Sequence, residues 1–363
     1  MGDALRRSAA IALGVLGLLA LPVSASAATK TDYAGPPPLT AKLAVRILGK
    51  SAKKFKKAYH PDFNAFFLNK VTVNAGDTVS FLISGFHTVD IPAKGQGDLS
   101  LILPGPTVTG ANDPAGNPFW FNGKVPSLGF NPALFARSGP STYDGTARIE
   151  SGLPLGKGKP KPLNVMFSKP GTYKFYCDVH PGMVGYVVVK PKGKSVPSAK
   201  QDAAALTQQV TSDIKGAKAL ATTKPKSNTV SVGVSDRAGV ELYGMFPATL
   251  HVKVGTVVTF SMSKATRESH TATFGPVSYL MPLAQGFAGG PTIPPAAAYQ
   301  SDQMLPLLLN PTSHGNGFAN TGVLDRDAKT PFRPSSTIKF TKAGTYHYFC
   351  LIHPFMRGTV IVK

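Results

Sequence analysis

The sequence is poor in several residue types. Among its 363 residues are two cysteines, one tryptophan, eight methionines and eight histidines. Two cysteines exclude a disulfide-stapled fold. Eight histidines with no His-x-His pair argue against a multinuclear metal enzyme, and the small number of Met and His argues against a metal-storage tract. Asp and Glu total 18 against 39 Lys and Arg, for a net charge of +21. No nucleic-acid-binding motif accompanies that charge. Long apolar runs are confined to Ile11–Leu21, which is too short to span a bilayer comfortably. With Arg6 and Arg7 before it and Ala25-Ser26-Ala27 after it, the run reads as an export signal over residues 1–27 rather than a retained anchor. The expected location is periplasmic, cell-envelope or extracellular.

What the chain does have is a stretch that occurs twice. Gly171-Thr172-Tyr173 opens an alternating segment that reaches Cys177, His180 and Met183, then runs into Val187-Val188-Val189. Gly344-Thr345-Tyr346 does the same through Cys350, His353 and Met356 into Val360-Ile361-Val362. The repeat extends upstream: Val71 to Phe81 around Gly76 matches Leu250 to Phe260 around Gly255, and each is followed by a histidine, His87 or His270. The 37 Gly and 32 Pro favour short strands and turns over long helices. Residues 28–43, with Pro36-Pro37-Pro38, read as a flexible leader. Residues 44–190 form the first domain, with strands expected from Ala44 onward, and residues 229–363 form the second. Between them, residues 191–228 contain one amphipathic helix, opened by a Ser198/Gln201 capping box and apolar at Leu206, Val210, Ile214 and Ala217. Its expected place is on a domain surface.

A thiolate, two imidazoles and a thioether form a soft donor set that suits copper. The expected ligands are His87, Cys177, His180 and Met183 in the first domain and His270, Cys350, His353 and Met356 in the second. A Cys177–Cys350 disulfide is the bland alternative for an exported protein, but repeat-equivalent positions in separate domains rarely meet. Thr88 and Thr271, each following the first histidine, are placed to hydrogen-bond across to the ligand loop. His60, His251, His314 and His347 are read as surface or loop residues. The aromatic run Phe119-Trp120-Phe121 is read as packing for a long Pro/Gly-rich insert.

Both copies resemble the cupredoxins, the plastocyanin-like blue-copper proteins. Tyr348 to Gly358 is similar to the ligand loop of amicyanin almost residue for residue, and Leu250 to Gly255 also looks like amicyanin. The linker helix and the long inserts have no counterpart there. The resemblance implies an all-β architecture: two Greek-key sandwiches of eight strands each, joined by the helical linker. It also implies two type 1 copper sites and one-electron transfer. Two-domain copper oxidases and nitrite reductases also join such domains, but their extra copper needs further histidines, including one beside the cysteine. Tyr176 and Phe349 stand there instead. Against that background, the basic charge is read by default as a solvated face. Its functional reading is attraction to an acidic redox partner or an anionic cell envelope.

Overall fold

The structure is a computed structural model that describes residues 27–109, 111–117, 119 and 124–363. The expected export signal, apart from Ala27, and the Trp120-Phe121 part of the aromatic run lie outside the described residues. Among the described residues, no helix is long and apolar enough to cross a membrane.

Each half is a sandwich of two mixed sheets. In the first half, one sheet runs Phe66–Phe67, Thr29–Ala34, Thr78–Ile83, Leu163–Phe167, Thr142–Tyr143. The facing sheet runs Ile149–Glu150, Asp90–Ile91, Gly171–Tyr176, Val184–Lys190, Lys70–Asn74. Alternation drives the packing: Val79, Phe81 and Ile83 point inward from one strand while Thr78, Ser80 and Leu82 do not. Phe81 and Phe66 meet Phe175 edge-to-face, at centroid distances of 5.0 and 4.5 Å. The second half repeats the plan. Phe260 sits where Phe81 does, and packs on Tyr348 and Phe274. Each half thus carries more strands than the eight that the resemblance implies, because short edge strands extend its sheets.

The segment 28–43 is not a flexible leader. Thr29–Ala34 pairs in parallel with Thr78–Ile83 all along its length, and the Asp77 carboxylate accepts from the Ala28 amide at 2.8 Å. Nor do strands begin at Ala44. Leu39–Leu48 and Ala52–Tyr59 are helices, and Leu39, Leu43 and Ile47 recur every fourth residue on the face that meets the linker helix.

The linker helix spans Ala199–Leu220. Its capping box is closed in both directions, Gln201 N to Ser198 Oγ at 3.3 Å and Ser198 N to Gln201 Oε1 at 2.8 Å. Val210, Ile214 and Ala217 are buried in a cluster with Leu43, Phe67 and Leu242, so the helix is wedged against both halves rather than laid on one surface.

Three further connections lock the halves. Pro61–Phe63, from the first half of the chain, is an edge strand of the second half's sheet, paired with Val240–Leu242. The inserts pair with each other: Ile102–Thr107 and Pro126–Phe130 form a three-stranded sheet with Thr292–Ile293. His314 joins Asp113 of one insert, at 3.0 Å, to Asp302 of the other, at 3.2 Å.

Candidate metal centres

Two centres form at the ends of the two sandwiches. In the first, the strand Gly171–Tyr176 delivers Cys177 and the return strand Val184–Lys190 fixes the far side of the loop. The loop closes on itself through Cys177 N to Met183 O at 3.1 Å and Met183 N to His180 O at 2.9 Å. His87 arrives from the loop after Thr78–Ile83. Its Nδ1 lies 3.8 Å from Cys177 Sγ, and that of His180 lies 3.3 Å away. Met183 is buried in the same core cluster as Cys177.

The second centre has the same construction. Cys350 N meets Met356 O at 3.1 Å, and Met356 N meets His353 O at 2.8 Å. Cys350 Sγ has His270 Nδ1 at 3.8 Å and His353 Nδ1 at 3.9 Å. Met356 is buried with Cys350. Both cysteines are free and buried, so the disulfide alternative fails. Each group of His, Cys and His brings its donor atoms within 4.8 Å of one another and could hold a metal ion.

The threonines act as the sequence suggests. Thr88 N and Thr271 N donate to the cysteine sulfurs at 3.4 and 3.3 Å. Their hydroxyls accept from the amides of Asp178 and Leu351 at 2.9 and 2.8 Å, so each first-histidine strand is pinned to its ligand loop. Of the remaining histidines, His251 and His347 are exposed on strands and His60 caps the helix Ala52–Tyr59. Together with His314 between its two aspartates, none of the four reaches a centre.

Three features of the centres escaped the sequence reading. Gly35 (φ +84) and Gly233 (φ +76) lie against the first histidines; a Cβ would stand 2.6 Å from His87 Nε2 at one and 2.8 Å from His270 Nε2 at the other. Positive φ and the missing Cβ are both used here. Gly35 sits within the supposed leader, and the pairing of Thr29–Ala34 with Thr78–Ile83 and Phe66–Phe67 carries it to the site. The third feature is Glu268. It lies between the two centres, 3.0 Å from His180 Nε2 and 3.9 Å from His353 Nε2.

The halves differ in electrostatics. Burial raises the Cys177 thiol, but His180 and His87 outweigh it and hold the group well below its ordinary range. Burial pushes Cys350 up to about 11. His270 falls to about 3 through burial and the neighbouring His353. Burial opposes imidazolium at His180, but Cys177 and then the close Glu268 outweigh it and hold that histidine well above its ordinary range.

Asp178, next to Cys177, is buried with Asp90 and Glu150, and one oxygen of each has no hydrogen-bond partner. All three are pushed up to about 8, first by burial and then by an acidic neighbour, Asp178 for Asp90, Glu150 for Asp178 and Asp90 for Glu150. Asp90 is paired with Arg148, Glu150 accepts from Gly152 N at 2.8 Å, and Asp178 accepts from Leu99 N at 2.8 Å.

The two-sheet plan of each half, with donors gathered at one end, agrees with the cupredoxin resemblance of the sequence. No family model and no curated protein matches the chain. Among solved structures it is similar to oxidised plastocyanin from Dryopteris crassirhizoma, at 22% identity over 37% of this chain and 99% of that one, with a TM-score of 0.21. It is similar to an oxidised amicyanin variant at 21% identity, covering 40% of this chain and 89% of that one, TM-score 0.21. A reduced amicyanin variant gives 20% identity, the same coverage of 40% and 89%, and a TM-score of 0.21.

Proposed function

We propose that the chain is an exported electron carrier with two type 1 copper sites, His87/Cys177/His180/Met183 and His270/Cys350/His353/Met356. The observation that carries this reading is the twofold convergence of two imidazole Nδ1 atoms on one buried cysteine sulfur, each on a loop that also brings a buried methionine. The donor chemistry fits copper: thiolate and thioether suit the reduced ion, imidazole suits both states, and copper so held exchanges one electron between Cu(I) and Cu(II). The chain's own part is to keep the donors still and dry. The Thr88 and Thr271 amides and hydroxyls fix the cysteines, Gly35 and Gly233 admit the first histidines, and the sandwich cores exclude water. A site that changes little between two charge states suits electron transfer.

The four histidines outside the centres are dispersed, which favours a carrier over an oxidase or nitrite reductase. The docking face we assign lies beside the second centre. Phe355 is 47% exposed, with its ring 5.9 Å from that of His353 and 4.5 Å from that of His60. His60 ends the helix bearing exposed Lys53, Lys54, Lys56 and Lys57. An apolar contact at the metal ligand bordered by lysines fits an acidic redox protein. Export rests on the amino-terminal pattern of the sequence.

Metal analysis with the visible spectrum of the oxidised protein tests the proposal. Two coppers per chain and an intense blue band are expected. A colourless protein, or turnover of oxygen or nitrite at enzyme-like rates, would overturn it.

A further inference from the structure

We propose that Glu268 couples the two metal centres, so that one carboxylate sets the properties of both. This rests on the copper reading above. His180 and His353 belong to different halves, yet their ring edges converge on this side chain. Each ring turns Nδ1 toward its own cysteine, at 3.3 and 3.9 Å. Each turns Nε2 toward Glu268, His180 to Oε1 at 3.0 Å and His353 to Oε2 at 3.9 Å.

At 3.0 Å, His180 gives its Nε2–H to the carboxylate, keeps the Nδ1 lone pair for a metal, is fixed in rotation and becomes a stronger donor; at 3.9 Å, His353 feels the charge without a hydrogen bond. A carboxylate has two oxygens, and here each faces a different centre. The negative charge stabilises the more positive metal state at both. A change of metal charge in one half is therefore felt in the other, and the coupling is reciprocal.

Two observations separate this role from an ordinary interface contact. The carboxylate is held for the purpose: Tyr243 Oη donates to Oε1 at 2.6 Å and Asn64 Nδ2 at 3.0 Å, and its side chain is 10% exposed. Asn64 comes from the first half and Tyr243 from the second, so both halves build the seat. The repeat also has no second copy of it. Glu268 stands two residues before His270, and the matching position before His87 is Gly85. The carboxylate belongs to the joining of the halves, not to the shared site design.

The test uses the full chain with Glu268→Gln and Tyr243→Phe. Wild-type protein is first shown to bind two coppers and to be blue; if it does not, the function proposed above falls, and not merely the coupling. Potentials are assigned to centres in Cys177→Ser and Cys350→Ser backgrounds, and affinity is followed with Co(II), whose thiolate bands report binding without redox chemistry. With Glu268→Gln, Co(II) affinity is expected to fall about 10- to 100-fold at the His180 centre, which loses a hydrogen-bonded partner, and by less at the His353 centre, which loses only the charge. Both copper potentials are expected to rise, more at the His180 centre because of its shorter contact. Tyr243→Phe removes a neutral donor while leaving the charge, makes the carboxylate a stronger acceptor, and is expected to lower both potentials. It decides the matter should Glu268→Gln fail to fold. A change at one centre alone, or at neither, overturns the coupling.

Discussion

The two halves carry the same ligands on the same frame and differ just behind the sulfur. Asp90 pairs with Tyr176 and Glu150; in the second half, Thr273 pairs with Phe349 and Asn320. Asp178 follows Cys177 as Leu351 follows Cys350. Three acids therefore occupy the places of a threonine, an asparagine and a leucine. The neutral set is closed: Asn320 Oδ1 accepts from Thr273 at 2.7 Å, and its amide donates to the carbonyls of Ala296, Ala297 and Tyr299. The acidic set leaves one buried oxygen on each member without a partner. The fold accepts either, so the acids are not needed to build the frame. What they change is the electrostatic setting of one centre.

The largest test of the comparison removes one centre at a time. Cys177→Ser and Cys350→Ser should each abolish about half the blue absorbance. Loss of all colour in either variant would show that the halves are not separate sites of one kind.

Next is the ion pair that only the acidic half requires. Arg148→Met strips Asp90 of its cation. Asp90 is held up to about 8 even with the cation present; above that pH the folded chain would bury its carboxylate uncompensated, and there we expect a loss of about 2 kcal/mol in urea unfolding. An unchanged midpoint would mean that the pair does not hold the trio together.

The third concerns pH. Glu150 is raised from an ordinary 4.5 to about 8 by burial first. Between those values the unfolded chain has released the proton while the folded chain retains it, so stability is full below about pH 4.5 and is lost as pH rises through 8. The slope contributed by one such group is at most about 1.4 kcal/mol per pH unit. Glu150→Gln should flatten the unfolding profile across that window; an equally steep profile would remove Glu150 from the account.

The smallest effect is the difference in potential. Above about pH 8, where the acids beside Cys177 ionise, they favour the more positive copper state, while Leu351 and the apolar wall beside Cys350 favour the reduced one. The second centre should therefore have the higher potential, and electrons should run from the first half to the second. Asp178 neither faces solvent nor pairs with a lysine, since it is buried against Asp90 and Glu150. Redox titration of the two cysteine variants decides: equal potentials, or the reverse order, end the argument.

The sequence showed most clearly what is local. Cys177 to Met183 and Cys350 to Met356 are single loops, and their donors had to be neighbours. The capping box at Ser198 is four residues long and could be read directly. What stayed hidden depends on distant pairing. Thr29–Ala34 has no apolar alternation, since its buried positions are Asp32 and Ala34, three prolines follow it, and its partner Thr78–Ile83 lies far along the chain. Gly35 went unseen for the same reason. The helix Leu39–Leu48 was legible in its fourfold spacing of Leu39, Leu43 and Ile47, and was missed because the surrounding composition favours strands. Glu268 has no signature at all, because its meaning depends on how one half meets the other.

The strand Pro61–Phe63 also imposes an order of events. It leaves the ribosome early, but its partner Val240–Phe246 is made only after the whole first sandwich and the linker helix. The first half can collapse around Phe81 and Phe175 while synthesis continues, yet it must carry an unclaimed strand until the second half arrives. A truncated chain ending before Val240 would keep that edge open and seek a substitute from another molecule. Duplication supplied two copies of one module, and this exchanged strand makes them a single object that is complete only when the last sheet is.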